Sequence, residues 1–200
     1  IVVAAVLFFA LSGCSATSDT PNNEDEEGTF LIYRRQSMIG AETYKITSNK
    51  SSIVVKSLQG ENERGKITGV EAKLELNMDL SPISYFSRRI VKTDTTNIFK
   101  MELIGDSVSI WEKHFDVVTS ETPSRFYPLH SNIPAAMEMM LYQYYFKYGE
   151  VINIPTLPRG EISIKYKAED IAFISGKEVR LDRYVVEGIN WGGRTVWLDK

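Results

Sequence analysis

The chain is poor in residues that do chemistry. Cys14 is its single cysteine, so disulfides within the chain and thiolate metal sites are excluded, leaving one thiol that could be modified. The two histidines, His114 and His130, stand in separate segments without the i, i+4 or His-x-His spacing of metal ligands. No Gly-x-Ser-x-Gly elbow, phosphate-cradling glycine loop leading into a helix, or Cys/His pair occurs. Asp and Glu are plentiful, but they alternate with apolar residues along strand-like segments, where most would be solvated. No two are singled out as facing each other across a cleft, and Glu169-Asp170 reads as a loop beside a strand. The expectation is therefore no catalytic residue, no metal and no cofactor. A net charge of -3, from 23 basic and 26 acidic residues, provides no electrostatic footprint for nucleic acid. Arg34-Arg35 and Arg88-Arg89 lie in alternating sequence and read as solvated strand faces.

Cys14 has a context. It closes Leu11-Ser12-Gly13-Cys14, directly behind the apolar run from Ile1 to Ala10, which is too short to span a bilayer and has the length of a signal-peptide core. This stretch resembles a bacterial lipoprotein signal. The resemblance implies that residues 1–13 are removed, that Cys14 is lipidated, and that the protein is held on a bacterial membrane, the outer membrane or cell surface ahead of the cytoplasmic one. The Met and basic residues that would open such a signal do not precede Ile1, so the sequence reads as a piece of a longer chain. Residues 14–28 contain no large apolar side chain after Cys14 and finish in Glu24-Asp25-Glu26-Glu27, the composition of a flexible acidic tether. Residues 29–200 are one domain by length, and the sequence reads as cut at its C-terminus.

From Thr29 onward the periodicity is mostly two. Segments 39–47, 53–58, 70–78, 83–91, 98–104, 108–118 and 162–166 are rich in β-branched or aromatic residues and are separated by Gly, Asn, Asp or Pro. Leu74, Leu76 and Met78 alternate with Lys73, Glu75 and Asn77, as in a strand with one dry and one wet face. The last two strands, 184–191 and 194–198, flank Gly192-Gly193, which predicts a tight hairpin with Trp191 opposite Arg194 and Ile189 opposite Val196. The fold class is mainly β (α+β): a curved antiparallel meander or half-barrel with one amphipathic helix packed on it.

That helix follows from Ile133, Met137, Met140, Leu141, Tyr144, Tyr145 and Tyr148 at three-and-four spacing, with Ser131 or Asn132 as cap, Pro134 in the first turn and Gly149 past the end. The stripe is either core or the lining of a ligand groove, Met and Tyr being side chains that adapt to irregular surfaces. On the second reading Met137, Met140, Leu141 and Tyr144 contact an apolar ligand. Tyr142 and Phe146, outside the stripe, add aromatic surface that could meet another domain.

Two further resemblances concern the body. Gly40-Ala41-Glu42-Thr43-Tyr44-Lys45-Ile46, as a first strand, and Leu80-Ser81-Pro82-Ile83-Ser84-Tyr85, between two strands, are similar to steps in the half-barrel of periplasmic lipoprotein carriers, which implies a hydrophobic groove. Segments 153–161, 179–186 and 191–199 resemble the β-rich region preceding the catalytic barrel of exported amidohydrolases. That likeness implies a non-catalytic front domain with a metal-dependent barrel following Lys200. The two functional expectations are thus a lipid-anchored envelope domain that binds an apolar ligand or partner, and an accessory domain of a secreted hydrolase.

Overall fold

The structure, a computed structural model, describes residues 25–199 apart from 35, 93, 114, 116, 131–132, 149–152, 159, 175 and 191. Cys14 and the signal-like segment, the tether up to residue 24, His114, Ser131, Asn132, Gly149 and Trp191 lie outside the described residues.

Strands β1 (Asp25–Arg34), β2 (Ser37–Ser48), β3 (Ser52–Glu63), β4 (Lys66–Asn77), β5 (Pro82–Val91), β6 (Asp94–Ile104), β7 (Ser107–Glu112) and β8 (Val118–Glu121) form one antiparallel meander. After β9 (Tyr127–Pro128) comes the helix α1 (Ala135–Tyr148), then β10 (Asn153–Leu157), β11 (Glu161–Ile174), β12 (Lys177–Asn190) and β13 (Gly192–Leu198). These form a second sheet in the order β13-β12-β11-β10-β9, antiparallel except for the pair β9 and β10. Antiparallel sheets with half-barrel curl and one helix are the expected class.

The helix lies between the two sheets. Its N-terminus meets β2, where Ala135 and Ala136 donate to Glu42, while Tyr145 donates to the Ile164 carbonyl of β11 at 3.4 Å. Phe146 packs edge-on against Tyr184 of β12. Cover on both sides explains why Ala136, Met137, Glu138, Met139, Met140, Leu141, Tyr142, Tyr144 and Tyr145 are all buried, a burial far wider than the stripe of an amphipathic helix. Tyr142 is buried against the chain's own second sheet, whereas Phe146, edge-on to Tyr184, stays exposed. The first sheet's inner face supplies the rest of the core, with Val55, Leu74, Leu76, Tyr85, Phe99, Met101 and Val108 in contact with the helical cluster.

Several boundaries differ from the sequence expectation. A strand precedes 39–47, and Asp25, Glu26 and Glu27, expected to lie in an acidic tether, belong to it as part of β1. Lys45 pairs with Asp25 and Tyr44 donates to Glu26, so cross-strand partners draw part of the acidic run into the sheet. The segment 108–118 is two strands, β7 and β8. Glu169 and Asp170 lie inside β11, where Glu169 pairs with Arg180 and Asp170 accepts from the indole N–H of Trp197 at 2.7 Å.

The final hairpin has another register. Arg194 faces Val186 and Val196 faces Tyr184, because the pairing shifts between Val186 and Asn190. Gly188 lies in that irregularity with φ of 96°, and a Cβ there would stand 2.1 Å from the Glu161 carbonyl oxygen. Close approach of the β11 backbone forces the bulge, which alternation of side chains cannot reveal.

Candidate functional site

The inner face of the first sheet changes character along its strands. Toward one end it is apolar and lies under the helix. Beyond the helix N-terminus the same face bears Arg34 of β1, Glu42 of β2, Gln59, Glu61 and Glu63 of β3, Lys66 and Thr68 of β4, and Arg89 of β5. With Ile32, Ile39, Val70 and Ile133, and with Arg194, Thr195 and Val196 of β13 opposite, these residues bound an open cleft of about 460 Å³. That volume falls in the ordinary range for small-molecule sites, roughly 300–1,000 Å³.

Glu42 sits where the cleft meets the core. Although it is 1% exposed, each of its carboxylate oxygens is engaged: Ala135 N–H donates to Oε2 at 2.7 Å, Ala136 N–H to Oε1 at 2.9 Å, and Ser57 Oγ–H to Oε1 at 2.8 Å. The first N–H groups of a helix have no partner within it, and Pro134, whose carbonyl accepts from Met137 and Glu138, has no side-chain acceptor to offer them. A carboxylate from a distant strand therefore caps α1. Burial raises the Glu42 pKa above the usual carboxylate value against the lowering effect of the three hydrogen bonds.

Glu138, one turn into the helix, is the second buried acid on this cleft. Arg194 of β13 forms an ion pair with its Oε1, and Tyr142 O–H donates to Oε2 at 3.2 Å. Burial again raises its pKa, Arg194 acts in the opposite direction, and the nearby Glu42 charge adds to the rise. Glu138, Arg194 and Tyr142 thus tie the helix to the second sheet. Glu63 is paired with Arg34, and Glu61 accepts from the Gln59 side-chain amide at 2.6 Å.

Sequence reasoning did not single out Glu42 or Glu138 as acids sharing a cleft, since 96 positions of chain separate them and only the packing of α1 against β2 unites them. A signal for Glu42 did exist. Gly40, Glu42, Tyr44 and Ile46, alternate residues of the segment 40–46, all belong to the inward-facing set of β2. A Cβ on Gly40 would stand 2.1 Å from the Gly60 carbonyl oxygen, Tyr44 stacks on Phe30 at 4.9 Å, and Ile46 is core.

The four groove candidates stand elsewhere. Met137, Met140 and Leu141 are fully buried in the core, and Tyr144 is buried between Tyr127 and Tyr148. Tyr144 borders a small recess of about 10 Å³ with Arg125 and Ile154, room for about one water. The methionines fill space between two sheets. Of the histidines, His130 stacks on Phe99 at 4.4 Å and lies 3.4 Å from Glu112, away from the cleft. Among the described residues no group of three His, Cys, Asp or Glu side chains could hold a metal ion, and no helix is long and apolar enough to cross a membrane.

Comparison with protein families, with curated proteins and with solved structures finds no match to this chain.

Proposed function

We propose that this chain is a lipid-anchored binding domain of a bacterial envelope, without a catalytic site of its own, which receives its ligand in the cleft between the polar end of the first sheet and β13. The observation that carries this reading is the cleft itself: about 460 Å³ of open space with apolar walls and a polar floor, at the only end of α1 that a carboxylate from another element caps among the described residues. Placement of the ligand shifts from the Met/Tyr stripe to this cleft, because the stripe is consumed by packing. Anchoring rests on Cys14 and the apolar run before it; two or more acyl chains, at about 0.8 kcal/mol per buried methylene, suffice for stable attachment.

Two experiments test the two halves. In the native host, Cys14→Ser should release the protein from membranes, and continued partitioning of a processed Cys14→Ser protein refutes the anchor. Native mass spectrometry should find a co-purifying small molecule on the full chain that is lost from Val70→Trp, whose indole would fill the cleft. Retention of that molecule by a folded Val70→Trp protein refutes the location.

A second reading, the front domain of an exported amidohydrolase, draws on one observation. From the Asp170–Leu181 pair to their turn, β11 and β12 run as a two-stranded ribbon, and β13 lies at the end of its sheet, so a further strand could add there. Ile171 and Phe173 are exposed on that ribbon. Reading the coding sequence past Lys200 tests it, since such a barrel would bring a His-x-His after a strand.

A further inference from the structure

The register across the first sheet places Phe30, Glu42, Gln59, Val70, Arg89 and Thr96 in one row over β1 to β6. Glu42 and Arg89 are three strands apart in that row, their backbones separated by roughly 14 Å at about 4.8 Å per strand. Both face the cleft, and their situations differ. Glu42 is committed to the helix cap and to Ser57.

Arg89 is half-buried, and among the described residues its guanidinium has no ion-pair partner. The acids that could have served are taken or distant. Glu63 pairs with Arg34, Glu138 with Arg194, and Glu71 with Arg88 on the other face of β5, while Glu61 stands in the next row, two strands away, and takes the Gln59 amide. Withdrawing a guanidinium even partly from water without a counter-charge is unfavourable, and five fixed N–H donors suit a planar or tetrahedral oxyanion. Val70 beside it, with Ile32, Ile39 and Val196, provides apolar wall for a short hydrocarbon body.

We propose that Arg89 is the headgroup-binding residue of the cleft, and that the ligand is an anionic amphiphile, a carboxylate or phosphate on a short apolar chain. This deepens the preceding proposal and rests on the cleft being the binding site. A surface between macromolecules is a poorer fit, since the unpaired cation lies inside a recess of small-molecule size.

The test compares decanoate with 1-decanol, the same chain without the charge, by titration calorimetry on the full chain below aggregate-forming concentrations. Acetate and inorganic phosphate test the headgroup alone. Decanoate should bind at least tenfold more tightly than decanol, and Arg89→Gln should remove that preference, a loss of about ten- to a hundredfold for decanoate with decanol unchanged. Arg89→Lys should restore part of it. Unchanged circular dichroism and melting temperature show that the variants fold. Acetate or phosphate binding as tightly as decanoate overturns the amphiphile and leaves a simple anion site. Equal binding of decanoate and decanol, or a preference that survives Arg89→Gln, overturns the role of Arg89 while the cleft stands. Absence of binding by every probe overturns the reading of the cleft as well.

Discussion

Replacing Glu42 by Ala should be among the most damaging single changes outside the apolar core. The substitution leaves Ala135 N–H, Ala136 N–H and Ser57 Oγ–H without their acceptor at a position 1% exposed. Loss of a helix cap costs about 1 kcal/mol, and stranding buried donors costs about 1–3 kcal/mol more. Relief from burying a carboxylate, which is what raises the Glu42 pKa, offsets part of this. A net loss of about 1–3 kcal/mol is expected, or roughly 2–12 °C in Tm at the 2–4 °C per kcal/mol typical of a domain this size.

Urea denaturation and differential scanning calorimetry would measure it, with Glu71→Ala as control. Glu71 is half-exposed and pairs with Arg88 on the outer face, so its removal should cost less than about 1 kcal/mol. The pH dependence adds a second check. Because the folded-state pKa of Glu42 lies above the unfolded value, its stabilisation is complete below pH 4.5 and is lost as pH rises through the folded pKa. The gap between the wild-type chain and Glu42→Ala should therefore widen on acidification from pH 7 toward 5. A Glu42→Ala protein within about 0.5 kcal/mol of wild type refutes the cap as a stabilising contact. A gap that narrows on acidification refutes the assignment of burial as the dominant influence on its ionisation.

Other changes test separate parts of the structure. Glu138→Gln should flatten the rise in stability on going from pH 7 to 5, because a group with a burial-raised pKa is lost from the titration, whereas Arg194→Ala should destabilise by about 3–5 kcal/mol at pH 7 by leaving that carboxylate buried and unpaired; chemical denaturation across pH measures both. Gly188→Ala should cost several kcal/mol, of the order seen when a close backbone contact and a positive φ are both violated, and its failure to lower Tm would refute the bulge. Leu141→Ala and Met140→Ala should each destabilise by about 2–5 kcal/mol through cavity formation; if the folded variants lose ligand affinity as well, the stripe touches ligand and its assignment to the core is wrong.

How much of this was legible in the chain depends on the range of the interaction concerned. Alternation of apolar and polar residues, such as Leu74 and Leu76 against Lys73 and Glu75, identified most strands, since side chains on neighbouring positions of a strand point to opposite faces whatever that strand pairs with. The three-and-four spacing from Ile133 to Tyr148 identified the helix in the same way. The lone Cys14 behind its apolar run, and the poverty of nucleophiles and metal ligands, are likewise properties of the sequence by itself.

Tertiary structure decided what those elements are for. Met137, Met140 and Leu141 form a stripe that either a ligand or a second sheet could cover, and nothing in their spacing says which; β11 and β12 cover the helix's second side. Glu42 looks like any polar residue in an alternating strand until β2 is brought against Ala135 and Ala136, 93 and 94 positions later, where the unsatisfied donors of a helix end turn it inward. The bulge at Gly188 depends on the carbonyl of Glu161, and the isolation of Arg89 depends on which arginines and glutamates the registers of five strands place side by side. Local periodicity reports which way a side chain points relative to its own backbone. What it meets there is fixed by strand register and by the packing of helix on sheet, which join residues distant in the chain.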